Sequence, residues 1–104
     1  MPLPDLDPEQ RREALRKAAE VRQIRAQVKQ MLKSGEIGLG DVLARAETAE
    51  PLAKMRVSDL LEALPNIGKV RARRTMEDLD IAPTRRLRGL GPRQKQALLE
   101  AFGG

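Results

Sequence analysis

The sequence predicts an all-α protein in which a long N-terminal helix packs on a C-terminal bundle of shorter helices. Three observations lead there. Apolar residues recur at helical spacing, and no stretch alternates with period two for long enough to make a strand. Seven prolines and eight glycines fall between the periodic stretches rather than within them, where they start and stop helices. The 104 residues, 40 % of them hydrophobic, suffice for one domain with a small core.

The first helix is expected over residues 8–33. Asp7 caps it, Pro8 stands where its missing N–H costs nothing, and Gln10 completes a capping box. Ser34-Gly35 supplies a left-handed end. At about 100° per residue, Val21, Ile24, Val28, Met31 and Leu32 share one face. Arg11, Arg22, Arg25, Lys29 and Lys33 cluster beside that face and read either as a weaker surface for an anionic partner or as a solvated flank. Residues 9–20 offer a core only Leu15 and alanines, so this part is expected to project. Lys17 breaks the heptad upstream of Val21, which favours core burial over a coiled coil and a monomer over a dimer.

Residues 39–104 then form the second part. Gly40-Asp41 opens a short helix to about Ala46, with Leu39, Val42, Leu43 and Ala46 inward. Pro51 starts a single turn to about Met55, and Ser58 is expected to cap a helix over 59–64 that buries Leu60, Leu61 and Leu64 before Pro65 stops it. A helix over 69–79 turns Ala72, Met76 and Leu79 inward and Arg71 and Arg74 outward, with Lys69–Glu77 and Arg74–Asp78 pairs expected. The last helix begins at Pro92 and buries Ala97, Leu98 and Phe102.

Composition removes most chemistry. The chain has no His and no Cys, and Phe102 is its one aromatic residue. Disulfides, zinc-finger spacings, Cys nucleophiles and His-based triads or metal sites are excluded, and no metal or cofactor is expected. Aromatic stacking platforms for single strands are missing too. The longest charge-free run, Ala63–Gly68, is far too short to span a membrane. The opening Met-Pro-Leu-Pro-Asp-Leu-Asp lacks the basic and apolar regions of a signal peptide, so a cytoplasmic location is expected.

The charge is unevenly spread. Residues 1–64 hold eleven groups of each sign, whereas residues 65–104 hold nine basic against four acidic, so the whole net charge of +5 lies there. Seven of the nine are arginines, whose planar fork matches phosphate. A polyanionic partner follows, with nucleic acid first.

Leu64-Pro65-Asn66-Ile67-Gly68-Lys69-Val70 is a helix–hairpin–helix turn. Its glycine positions are expected to need unusual backbone angles and to let a phosphate approach. Ile67 plugs the core, while the amides of Gly68, Lys69 and Val70 form an anion nest at a helix start. Asn66 replaces the first glycine and is the residue that best tolerates positive φ in its place. The pattern returns twenty-three residues later as Leu87-Arg88-Gly89-Leu90-Gly91, with Lys95 where the first copy has Ala72. Between the copies, Thr84-Arg85-Arg86-Leu87-Arg88-Gly89 reads as a loop whose arginines are free to reach a DNA backbone or narrow minor groove. Only Leu87 in that stretch is expected to be buried.

Together, Leu61–Val70 and Arg85–Gly91, with Pro8-Glu9-Gln10-Arg11, the opening Leu-Pro and the closing Glu100-Ala101-Phe102-Gly103, resemble the actinobacterial (mycobacterial-type) integration host factor family. The resemblance covers nearly the whole chain. It implies a long N-terminal helix packed on a C-terminal helix–two-turns–helix (helix–hairpin–helix-like) module, in a nucleoid-associated, non-enzymatic binder of double-stranded DNA. Such a protein organises and condenses the chromosome, influences transcription and, in some members, assists phage integrase in recombination. The family's hairpin contacts carry over to Pro65, Asn66, Gly68, Lys69 and Val70, with Arg71 beside them. Its basic lid carries over to residues 81–93, chiefly Thr84, Arg85, Arg86, Arg88, Gly89 and Arg93.

Two other readings compete with this one. A proline-nucleophile glycosylase would begin Met1-Pro2 as this chain does, but no acid adjoins Pro2 and no β domain is present to hold a flipped base. An RNA-binding, ribosome-associated protein is the alternative, because a nest of amides reads phosphate and not sugar. The family resemblance favours DNA.

Overall fold

The computed structural model describes residues 7–103; Met1-Pro2 and the opening Leu-Pro lie outside them. Six α-helices follow one another: α1 (Pro8–Ser34), α2 (Leu39–Ala46), α3 (Glu50–Ala53), α4 (Val57–Glu62), α5 (Lys69–Asp78) and α6 (Pro92–Phe102). A 3₁₀ turn, Leu87–Gly89, precedes α6, and the described residues contain no strand. The all-α reading of the sequence holds.

The ends of α1 follow from local chemistry. The Asp7 carboxylate accepts the Gln10 N–H at 2.7 Å, and the Gln10 side chain accepts the Asp7 N–H in return. Gly35 ends the helix at φ +82°, its N–H donating to the Leu32 carbonyl. Every residue from 7 to 20 is exposed, so the first half of α1 runs clear of the core and helps to set the longest dimension at 48 Å. Val28 and Leu32 are buried, whereas Val21 and Met31 are half-buried and Ile24 stays 40 % exposed. The expected stripe is thus narrower than its periodicity, because α3 is a single turn and covers little of α1.

The core lies under the short helices. Leu39, Val42, Leu43 and Ala46 of α2 pack with Leu52, Met55 and Val57, with Leu60 and Leu61 of α4, and with Met76, Leu87 and Leu98. Helix α2 begins at Leu39, one residue before the expected Gly40, since the Asp41 carboxylate accepts the Gly38 N–H at 2.9 Å. Ser58 is not a cap. Helix α4 starts at Val57 after an extended Arg56, whose backbone forms an antiparallel bridge to Arg86. That bridge sets the helix start, and the chain has already left the helix at Ala63, before Pro65.

Helices α5 and α6 start alike. Ile67 N–H donates to Leu64 and Leu90 N–H donates to Leu87, at 3.3 and 3.2 Å. The first bonds of the two helices, Ala72 to Gly68 and Lys95 to Gly91, are both 3.0 Å. The repeat seen in the sequence is therefore a repeat of the hydrogen-bond pattern. Inward residues agree in part: Ala72, Met76 and Leu98 are buried, while Leu79, Ala97 and Phe102 are half-buried.

Candidate nucleic-acid interface

Each of the first four helices has an acidic residue in its first turn: Glu9, Asp41, Glu50 and Asp59. This placement suits the positive end of a helix dipole. Helices α5 and α6 have none and carry Lys69, Arg71, Arg93 and Lys95 in or beside that turn. Cations there oppose the dipole, which makes these two ends poor choices for the fold and good ones for an anion.

The two ends differ in what their amides do. At α5 no side chain caps the helix, and the N–H groups of Gly68, Lys69, Val70 and Arg71 donate to nothing within the described residues. At α6 Pro92 has no N–H, and the Gly91 N–H is taken by the side-chain Oε1 of Gln94 at 3.0 Å. Gln94 stands where the first copy has Arg71, and a guanidinium cannot accept a hydrogen bond. The N–H groups of Arg93 and Gln94 donate to nothing within the described residues, so the α6 mouth is closed only in part. The α5 mouth is open across all four amides.

Around the open mouth, Asn66 adopts φ +64°, the left-handed turn for which asparagine suits its position. Gly68 departs from expectation, since its φ of −91° and ψ of 176° suit any residue. A Cβ there would meet nothing within 4 Å, so Gly68 leaves open space in front of the amides without any need for special backbone angles. Pro65, Asn66, Lys69, Val70 and Arg71 are exposed, with Val70 at 71 %. The expected Lys69–Glu77 and Arg74–Asp78 pairs do not form among the described residues, which leaves Lys69 and Arg74 without a carboxylate partner.

The arginine segment is less free than its composition suggests. Val57 N–H donates to the Arg85 carbonyl at 3.0 Å, and Leu87 N–H donates to the Met55 carbonyl at 2.9 Å. The Arg85 guanidinium is turned back onto the Gly89 carbonyl at 2.9 Å, and Arg86 donates to the Lys54 carbonyl. Gly89 gives Arg85 room, for a Cβ there would stand 3.0 Å from the Arg85 Cδ. Arg88 and Arg93 are exposed and make no ion pair among the described residues, and Thr84 is exposed beside them. Leu87 is buried at 2 % exposure, as expected.

The basic flank of α1 is also altered. Arg25 is half-buried, and its Nε donates to the Pro51 carbonyl at 2.8 Å, tying α1 to α3. Arg22, Lys29 and Lys33 border a groove with Asp59 and Glu62, so carboxylates face that surface. Arg11 stands on the projecting half of the helix.

The bonds from Arg25, Arg85 and Arg86 to backbone carbonyls were invisible in the sequence, as was the ring of Phe102, 5.7 Å from the Arg71 guanidinium. The closure at Gln94 was legible, because Gln10 plays the same part at the third position of α1. No helix of the described residues is long and apolar enough to cross a membrane.

A paired set of hairpin-started helices with one open, cation-flanked mouth defines a helix–two-turns–helix protein, and residues 32–102 match the S13-like H2TH domain family. The chain is 59 % identical to integration host factor of Mycobacterium tuberculosis over 99 % of its own length and 98 % of the relative's. It is 60 % identical to that of Mycolicibacterium smegmatis, over 98 % and 97 %. With the Streptomyces coelicolor integration host factor it shares 48 % identity, over 99 % and 96 %. A solved structure of sIHF bound to an 8-bp palindromic DNA superimposes with a TM-score of 0.83 at 45 % identity, covering 85 % of this chain and 99 % of that one. The chain belongs to the integration host factor family of mycobacteria and Streptomyces. With that membership the enzyme reading falls away.

Proposed function

We propose that the protein binds double-stranded DNA in the cytoplasmic nucleoid, without enzymatic chemistry and as a monomer. In this reading it condenses the chromosome, influences transcription and assists phage integrase. The observation that carries the proposal is the uncapped start of α5, where free amides, exposed Lys69 and the space in front of Gly68 coincide. The DNA held by the structurally similar sIHF supports the same ligand. Pro65, Asn66, Gly68, Lys69, Val70 and Arg71 form one half of the interface, and Thr84, Arg85, Arg86, Arg88, Gly89 and Arg93 form the other. Arg11, Arg22, Lys29 and Lys33 form a second, weaker surface that depends on overcoming Asp59 and Glu62.

Contacts of amides and arginines with phosphate make binding electrostatic and weakly sequence-selective. Neutralising about five phosphates gives a slope of log K against log salt of about −4 to −5. Fluorescence anisotropy on a short duplex across a salt series measures it, and a flat dependence overturns the proposal. Competition by structured RNA at equal salt separates the DNA reading from the RNA one; RNA displacing the duplex at equal or lower concentration decides for RNA.

A further inference from the structure

Arg71 is an arginine with nothing on its own helix to hold it. Its neighbours three and four residues away are Ile67, Gly68, Arg74 and Thr75, none of them acidic. Thr75 binds only the main chain of Arg71, its Oγ1 donating to the carbonyl at 2.9 Å. Among the described residues Arg71 forms no ion pair. Its guanidinium instead lies 5.7 Å from the centre of the Phe102 ring, within cation–π range.

Phe102 is well placed to be a fixed platform. It is the last residue of α6, packed against the core, and its helix is anchored one turn earlier by Leu98, which is fully buried. Gly103 closes the helix directly behind it at φ +71°, its N–H donating to the Leu99 carbonyl at 2.8 Å. The ring therefore stands on a helix anchored in the core, 31 residues from the arginine that it meets. Ordering a flexible arginine before it binds reduces the freedom lost on binding.

We propose that Phe102 is a positioning residue, holding the Arg71 guanidinium beside the open mouth of α5 so that it meets a DNA phosphate already ordered. The inference rests on the DNA-binding reading above. Its experiment compares Phe102→Leu, which keeps apolar bulk and removes the π face, with Phe102→Tyr, which keeps both. Each is made in the native protein and in Arg71→Ala. The expected result is duplex binding weakened about two- to fivefold by Phe102→Leu, the range of an exposed cation–π contact, and restored by Phe102→Tyr. In the Arg71→Ala background, Phe102→Leu is expected to have no further effect. Equal weakening in both backgrounds, or undiminished binding by Phe102→Leu, overturns the proposal. The proton shifts of the Arg71 side chain supply a readout without DNA: the ring moves them upfield, Phe102→Leu removes the displacement and Phe102→Tyr keeps it. Absence of that displacement in the native protein also overturns the proposal. Ring-shifted protons in a protein that binds no duplex overturn the DNA reading, and the phosphate role with it, while the Arg71–Phe102 contact stands.

Discussion

Arg56 and Arg86, thirty residues apart, pair backbone to backbone in an antiparallel bridge within an otherwise helical chain. The bridge lies between the entry to α4 and the segment that leads to α6, and the hydrogen bonds on either side of it are 2.9 and 3.0 Å. The two arginines thus meet through their main chains, while the side chain of Arg86 turns to the Lys54 carbonyl. The most basic segment of the protein is held at its base.

This gives Arg85 and Arg86 a structural part, which Arg88 lacks, beside their place in the interface. Arg85→Ala with Arg86→Ala removes two hydrogen bonds from charged donors to carbonyls, and stability should fall by about 1–3 kcal/mol in urea denaturation. Arg88→Ala should leave stability unchanged and weaken DNA binding. All three together should flatten the salt slope by about 2–3 units while the helical signal persists, because the bridge itself is main-chain. Full binding by the folded triple variant would place the site elsewhere.

Gly68→Val should damage binding far more than folding. The backbone angles at Gly68 suit valine and the space beside it is empty, so the cost to stability is that of a poorer N-cap, about 0.5–1 kcal/mol. The branched side chain screens the free amides, and losing charge-assisted bonds to phosphate should weaken binding by about 10- to 100-fold. Thermal melting with anisotropy titration checks both halves.

Asn66 tests the turn that leads to that mouth. At φ +64°, Asn66→Val should cost about 1–2 kcal/mol, because a branched side chain crowds the left-handed conformation. Asn66→Gly should keep the fold and bind duplex at least as well as the native residue. Weaker binding by the glycine variant would mean that the asparagine side chain itself touches the ligand.

Leu98→Ala should cost about 2–5 kcal/mol, the usual range for emptying a fully buried leucine site. In a protein this small, that is a large part of the whole stability. Urea midpoints measure it, and DNA binding should fail in parallel with unfolding rather than before it.

Light scattering at low and high salt should give the mass of one chain. The exposed first half of α1 carries Leu15 as its one large apolar residue, too little to bury against a partner. A dimer that persists at both salts would contradict this.

Features that depend on neighbours within about four residues were legible in the chain. The Asp7–Gln10 capping box, the left-handed Gly35 and Asn66, the inward faces of α2 and α4, and the repeated hairpin all follow from local sterics and hydrogen bonding. The resemblance that those motifs carry also led to the family. Which basic groups are held and which are free depends instead on how distant segments pack. Arg25 reaches the Pro51 carbonyl across 26 residues, Arg86 reaches that of Lys54 across 32, and Arg71 meets a ring on the last turn of α6. Every residue has a carbonyl, so an arginine that will be satisfied by a distant one leaves no mark in the sequence. Ser58 caps nothing for the same reason, since a backbone bridge to Arg86 starts α4 where no capping side chain does.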